Sequence, residues 1–307
     1  MRKIYDMVIV GGGPGGYTAA LYGARAGMSV VVLEREFPGG QMNSTSQIDN
    51  YPGFPEGIDG IELGQRMQQG AERFDARTEY AGVVSADLSA EPKVVRTEAG
   101  DFLGRTVVLA TGASPRKLGL EKEEALVGRG VSYCAACDGM FYRDKTVVVV
   151  GGGNSAVADA LTMSRVARKV ILVHRRDSLR ATKLYHQPLM DAPNVQVLWN
   201  RQVKKLLGQE RLEGVEIEDL VSGAVETVQC DGIFVSIGRK PSTELVEGQL
   251  ELDEGGYIRA GEDTHTNIPG VFAVGDVRTT PVRQIVTAVA DGAVAAHEAE
   301  SYLTMMR

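Results

Sequence analysis

The stretch Met7-Val-Ile-Val-Gly-Gly-Gly-Pro-Gly-Gly16 decides the fold. Its four apolar residues read as a buried strand, and its glycines are spaced Gly-x-Gly-x-x-Gly ahead of a small-residue helix, Tyr17-Thr-Ala-Ala-Leu-Tyr-Gly-Ala-Arg25. A strand, turn and helix of this form make a dinucleotide-binding fingerprint. Gly11 permits the tight turn, Gly13 lets a pyrophosphate approach the backbone, and Gly16 lets the helix pack closely on the strand. Pro14 and Gly15 complete the turn, and the helix N-terminus offers unpaired N–H groups to the phosphates. The next strand, Ser29-Val-Val-Val-Leu33, ends at Glu34, where an acid bonds ribose hydroxyls.

A second copy follows. Thr146-Val-Val-Val-Val-Gly-Gly-Gly-Asn-Ser-Ala156 repeats the strand and turn, with Gly151, Gly153, Asn154 and Ser155 in the places of the first set. A helix to about Arg165 and a strand, Lys169-Val-Ile-Leu-Val173, come next. Offset by the distance from Gly11 to Gly151, the Glu34 position falls on His174, with Arg175, Arg176 and Arg180 just beyond. Glutamate repels a 2′-phosphate, whereas guanidinium groups clamp one through charge-assisted bonds. The first site is therefore expected to take a nucleotide with free ribose hydroxyls, such as FAD, and the second NADPH.

Each copy closes with an apolar strand and a glycine turn, Thr106-Val-Val-Leu-Ala-Thr-Gly112 and Gly232-Ile-Phe-Val-Ser-Ile-Gly238. A third such segment, Gly270-Val-Phe-Ala-Val-Gly275-Asp276, puts Asp276 at a strand end, where open α/β sheets bind ligands. The chain thus returns to finish its first domain. The expected fold is α/β: two Rossmann-like, three-layer FAD/NAD(P)-binding domains, the NADPH domain (115–247) inserted in a discontinuous FAD domain (1–114 and 248–307). Crossovers near Ser114-Pro115 and Glu247-Gly248 serve as hinges. The turn-rich stretch from Glu34 to Gly60 reads as a flavin-contacting loop.

A chain of 307 residues supports two cores of ordinary size. Its charged fraction of 24%, hydrophobic fraction of 43% and net charge of -7 describe a soluble enzyme and argue against a nucleic-acid binder. The start, Met1-Arg-Lys-Ile-Tyr-Asp-Met-Val-Ile-Val10, imitates a secretory leader, but Asp6 interrupts the apolar run and glycines replace a cleavage site. No apolar stretch reaches the roughly 18 residues that span a bilayer. A cytoplasmic protein with no membrane contact is expected.

Two of the three cysteines form Cys134-Ala-Ala-Cys137. In a reducing compartment a close pair is catalytic or metal-binding more often than structural. Zinc needs about four ligands, and Cys230 with four scattered histidines supplies no second ligand pair. Redox chemistry is the expected use, and no metal is expected. At the start of a helix the two thiols share a face and close a small ring, and a helix N-terminus favours the thiolate. Asp138 beside them is a candidate acid/base. Cys230 reads as core, and His297-Glu298 as a solvated face of a terminal helix from Ala288 to Tyr302.

With these residues in view, the chain resembles bacterial-type, low-molecular-weight thioredoxin reductases over essentially its whole length. The matching motifs are Gly11-Gly-Gly-Pro-Gly-Gly16, Gly39-Gly-Gln41, Asn50-Tyr-Pro-Gly53, Cys134-Ala-Ala-Cys-Asp-Gly139, Gly151-Gly-Gly-Asn-Ser-Ala156, His174-Arg-Arg-Asp-Ser-Leu-Arg180 and Gly275-Asp276 with Arg283-Gln284. A Cys-x-x-Cys just before the second fingerprint distinguishes this family from glutathione-reductase-like enzymes. The resemblance implies an NADPH-dependent reductase of thioredoxin or a thioredoxin-like protein, working as a homodimer with FAD. A reductase for another thioredoxin-like or peroxiredoxin-linked acceptor is the alternative. It implies FAD contacts from Gly40, Gln41, Asn50, Thr111, Gly112, Asp276, Arg283 and Gln284. Cys137 is implied as the flavin-proximal thiol, Cys134 as the attacking thiol and Asp138 as the acid/base. Two departures stand out: Ala158 replaces the first of two acids after the second fingerprint, leaving Asp159, and Met140 sits where an aromatic is common.

Overall fold

The computed structural model describes residues 3–45 and 47–306; the outermost residues of the expected domains, Met1, Arg2 and Arg307, lie outside them, as does Ser46. Two compact units emerge, one of 1–114 with 240–307 and one of 115–239.

The first unit begins β1 (Ile4–Val10), α1 (Pro14–Arg25), β2 (Val30–Glu34), α2 (Gly60–Glu72) and β3 (Arg77–Tyr80). A meander follows, β4 (Val83–Asp87), β5 (Lys93–Thr97) and the long β6 (Gly100–Leu109), and β7 (Ala113–Pro115) leads the chain out. In the second unit come β8 (Val131–Ser132), α3 (Ala135–Asp138), β9 (Thr146–Val150), α4 (Asn154–Ser164), β10 (Lys169–His174), α5 (His186–Asp191) and β11 (Val195–Trp199). Its meander is β12 (Arg201–Leu207), β13 (Gly214–Asp219) and β14 (Val225–Gln229), followed by β15 (Gly232–Val235). The chain returns through β16 (Arg239–Pro241) to β17 (Val271–Ala273) and α6 (Ile285–Met305).

Both units solve one problem in one way. Continuous Val, Ile and Leu runs suit strands covered on both faces. In the first unit β3-β2-β1-β6 run parallel; β17 joins the end of β6 in parallel, and β5 joins its beginning antiparallel. Val8, Val10, Val31 and Leu33 face the meander side with Leu88 and Val95. The alternate residues Met7, Ile9, Val30 and Val32 meet Tyr17, Ala19 and Ala20 of α1 and Ala295 and Ala299 of α6. The second unit orders its parallel sheet β11-β10-β9-β15-β8. Val148, Val150, Ile171 and Val173 pack with Val203, Leu206, Val215 and Ile217 of its meander, while Val147, Val149, Val170 and Leu172 meet Ala156, Val157 and Ala160 of α4. Each such side chain contributes roughly 1.5–3 kcal/mol on burial.

Register fixes where the turns lie. Val10 is level with Leu33 and with Leu109, and Leu109 with Ala273. The Gly11 turn, Glu34, Ala110 and the Gly275 turn therefore share one edge of the first sheet. Val150 is level with Val173 and Val235, so Gly151, His174 and Ser236 share the corresponding edge of the second. The expected return near Glu247-Gly248 lies beyond the 239/240 break between the units. Val246 and Leu250 already pack with Val8 and Ile258 in the first unit's core, which draws the preceding residues with them.

Candidate active site

The first glycine turn is shaped for a dinucleotide. Gly11 has φ +104°, and a Cβ there would meet Ala110 O at 2.5 Å; one on Gly16 would meet Gly11 O at 2.0 Å. Gly13, the N-cap of α1, has open space on its Cβ side, and no side chain caps this helix. Its first N–H groups thus face a clear approach, so the cradle fits a pyrophosphate. Pro14 stands in the first turn of α1. A Cβ on Gly15 would lie 3.0 Å from Val274, and one on Gly292 2.3 Å from Gly15 O, so α6 crosses α1 at a glycine-to-glycine contact. Glu34 takes Gly12 N on Oε2 and Arg35 N on Oε1, each at 2.7 Å, which fixes its carboxylate beside the turn.

Distant candidates gather in this unit. Asn50 donates to Gln284 Oε1 at 3.0 Å, joining the loop after β2 to the N-cap of α6. Gln284 also forms a capping box with Thr287. Arg283 lies over the Tyr257 ring, 4.0 Å from its centroid, and its Nε reaches Asp276 O at 3.5 Å. Gly40 (φ +58°) opens a short turn, Gly40–Ser44, on which Gln41 is exposed. Thr111 donates to Ser242 O at 2.7 Å, and Gly112 has φ +69°. Asp276 sits in the turn Gly275–Val277.

That turn is anchored by a pair the sequence reading passed over. Asp291, on α6, accepts Gly275 N at 2.8 Å and Arg278 Nε and Nη2 at 2.7 and 2.6 Å. The Arg278 guanidinium also donates to Ala260 O and Thr279 O, and both side chains are buried. One signal pointed here: Asp291 shares the inward stripe of α6 with Ala288, Ala295 and Ala299. Glu298 pairs with His265 (3.0 Å), and His297 is exposed.

The second turn repeats the first with different chemistry. Gly151 has φ +144°, Ala156 takes the third glycine position, and Gly153 caps α4 with open space on its Cβ side and no side-chain cap. This cradle fits a dinucleotide too. Asn154 Oδ1 accepts Thr182 N at 2.8 Å, and Gly152 O accepts Arg180 N at 2.7 Å, so the loop after β10 is tied to the glycine turn. Ser155 is exposed on the first turn of α4. His174 is only 4% exposed and turned onto Gly152, where a Cβ would meet its ring at 2.2 Å. Its Nε2 bonds Ser178 O at 3.0 Å, and its ring lies edge-on to Trp199. Burial holds His174 below the ordinary histidine range, and the charges of Arg180, Arg176 and Arg175 add to that. The three arginines are exposed and so offer their charge to a ligand; the histidine supports the turn from beneath. Asp159 accepts Ser236 Oγ at the end of β15, and burial raises its carboxyl above the usual range.

Cys134 and Cys137 form a disulfide. Cys134 is the N-cap of α3, its sulfur accepting Cys137 N at 3.2 Å. Asp138 Oδ2 accepts Ser132 Oγ at 2.6 Å; burial pushes this carboxyl up, and the Ser132 bond opposes the rise. A carboxyl with a raised pKa beside a disulfide is suited to protonate a departing sulfur. Tyr133, just before the pair, donates to Glu123 at 2.9 Å. Glu123 is 2% exposed and also takes Leu118 N and Gly119 N, at 2.9 and 2.8 Å. Met140 and Phe141 are exposed just beyond α3. Cys230 is buried, which pushes its thiol up to about 12 and leaves it inert.

The family described as "Pyridine nucleotide-disulphide oxidoreductase" matches residues 5–292. The chain is 43% identical over 309 residues to the thioredoxin reductase of Streptomyces clavuligerus, covering 100% of this chain and 96% of that one. It is 42% identical over 303 residues to that of Bacillus subtilis, covering 98% and 96%. Among solved structures, the thioredoxin reductase of Streptococcus pyogenes superposes with a TM-score of 0.93 at 42% identity, covering 99% and 100%.

Proposed function

We propose a function from one premise: the chain belongs to the pyridine nucleotide-disulphide oxidoreductases, in the branch of the low-molecular-weight thioredoxin reductases. It passes electrons from NADPH through FAD and the Cys134–Cys137 disulfide to the disulfide of thioredoxin. The observation that carries this reading is that disulfide, held at the start of a one-turn helix just ahead of the second glycine turn.

FAD and NADPH, when bound, supply the hydride and electron-pair chemistry that side chains lack. Gly13 and the N-terminus of α1, with Glu34, hold FAD at pyrophosphate and ribose; Gln41, Asn50, Asp276, Arg283 and Gln284 complete its surroundings. Gly153 and the N-terminus of α4 hold the NADPH pyrophosphate, while Arg175, Arg176 and Arg180 hold its 2′-phosphate. At the redox pair, two electrons break the S–S bond, and Asp138 gives its proton to one sulfur. The remaining thiolate settles on Cys134, which attacks the partner disulfide and forms a mixed disulfide. Cys137 then displaces the partner's second sulfur and restores the Cys134–Cys137 bond, its proton returning to Asp138, and the partner's two thiolates take their protons from solvent.

The chain acts as a homodimer, a reading supported by the family likeness and checked by sedimentation velocity. Its place of action is the cytoplasm, which suits a cycling pair and a free Cys230. No helix among the described residues is long and apolar enough to cross a membrane. NADPH-dependent reduction of DTNB through thioredoxin tests the proposal. Cys134→Ser and Cys137→Ser should each abolish turnover; either variant turning over normally removes the pair from the mechanism.

A further inference from the structure

We propose that Ser132 is a positioning residue of the redox centre, a hydroxyl rotor that keeps Asp138 hydrogen-bonded in both of its protonation states beside the disulfide. The inference rests on Asp138 being the acid/base.

Ser132 is 2% exposed, in the two-residue strand β8 that pairs with β15 at Phe234. Three groups surround its Oγ: Asp138 Oδ2 at 2.6 Å, Cys134 N at 3.1 Å and Cys134 O at 3.4 Å. A serine hydroxyl has one proton to donate and two lone pairs to accept with. The Cys134 N–H claims one lone pair in either state. When Asp138 is ionised, the hydroxyl proton points to its carboxylate. When Asp138 is protonated, its own O–H donates to the second lone pair of Ser132, and the hydroxyl proton turns to Cys134 O. All partners are then satisfied in both states, so the buried carboxyl gains and loses its proton without leaving an orphaned polar group, which is costly in a dry site. Reduction of the disulfide uses this cycle: two electrons break the S–S bond, the Asp138 proton goes to one sulfur, and a thiolate and a carboxylate remain.

Burial raises the Asp138 carboxyl, and the Ser132 hydrogen bond is the side-chain interaction that opposes it. Burial pushes the Tyr142 phenol, on the turn after α3, up to about 12, and the charges of Asp138, Asp231 and Cys230 add to the rise. On α4, Met163 lies where a Cβ on Gly139 would point.

Removing the hydroxyl takes a donor from the ionised form and an acceptor from the neutral form. Bonds to a charged group are the stronger, so the net effect is to favour the protonated acid. The test is an infrared titration of the oxidised holoenzyme, in which the paired cysteines do not titrate. The carboxylic-acid C=O band is assigned to Asp138 by its loss in Asp138→Asn. Ser132→Ala should move the midpoint of that band to higher pH, and Ser132→Thr, which keeps the hydroxyl, should return it toward the wild-type value. Should Ser132→Ala fold poorly, Ser132→Gly removes the same hydroxyl and reads the same midpoint. A midpoint unmoved in the folded hydroxyl-free variant overturns the role of Ser132. If Asp138→Asn removes no carboxylic-acid band, Asp138 holds no proton in the titrated range and the acid/base assignment beneath the proposal falls.

Discussion

Asp291→Asn should loosen the Gly275–Val277 turn that is proposed to border FAD. In the native chain the Asp291 carboxylate is 8% exposed and receives three donors, Gly275 N and two guanidinium nitrogens of Arg278, all within 2.8 Å. The amide keeps one accepting oxygen but removes the charge, and its NH2 group faces a guanidinium that cannot accept. Stranding a buried charge in this way costs about 3–5 kcal/mol. For a unit of this size each kcal/mol shifts Tm by roughly 2–4 °C, so the holoenzyme should melt roughly 6–20 °C lower. Because the lost bonds anchor the turn Gly275–Val277, flavin release should precede global unfolding, seen as a rise of free-flavin fluorescence below the main transition. Arg278→Met should also destabilise, by leaving Asp291 charged with only the Gly275 amide. The double variant Arg278→Met/Asp291→Leu removes both charges and should recover much of the loss, since an apolar pair replaces a buried ion pair at little cost. Denaturant unfolding of wild type, Arg278→Met, Asp291→Leu and the double variant gives the coupling energy. A coupling near zero, or an Asp291→Asn cost below about 1 kcal/mol, refutes the anchoring role.

Arg175→Ala/Arg176→Ala should lose preference for NADPH over NADH; one charge-assisted phosphate contact is worth on the order of 1.5–3 kcal/mol, or roughly ten- to a hundredfold in the kcat/KM ratio, and an unchanged ratio refutes the assignment. Asp138→Asn should stabilise the fold at neutral pH. The folded state raises the Asp138 pKa, so its contribution to stability is present at acid pH and is lost as pH rises through the raised value. The margin of the variant over wild type, followed by thermal melting, should therefore close on acidification; a margin constant with pH contradicts the burial argument.

Much of the fold was legible because its rules are local. A turn that must hold φ +104° at Gly11 or +144° at Gly151 admits little but glycine, and a strand covered on both faces admits little but Val, Ile and Leu. Those constraints write themselves into consecutive residues, and so both glycine turns and the apolar strands beside them could be read off. The polar supports were not legible for the opposite reason. Ser132 reaches Asp138 across a helix turn, Glu123 gathers the amides of its own loop together with the Tyr133 hydroxyl, and Arg278 finds Asp291 on another element. Each residue type is ordinary on a surface, and only the fold reveals that it is buried and bonded.

His174 shows where the two kinds of information meet. The offset between the two turns put it at the ribose-reading position, and the structure does place it opposite Gly152 as Glu34 stands opposite Gly12. Yet the two side chains do different work there. Glu34 accepts the Gly12 amide and keeps a carboxylate at the edge of the cradle, so negative charge is part of the turn itself. Burial lowers the His174 pKa, which favours the neutral ring. The positive charge has moved outward to Arg175, Arg176 and Arg180, and the Arg180 amide is bonded back to Gly152 O. Charge reversal between the sites is thus a two-part substitution. A neutral packing residue fills the space an acid would occupy, and a backbone tether brings the arginines to the same edge of the sheet. Exchanging His174 for glutamate alone would bury a carboxylate against that tether, so the proposed nucleotide preference of this unit rests on the loop as much as on the strand end.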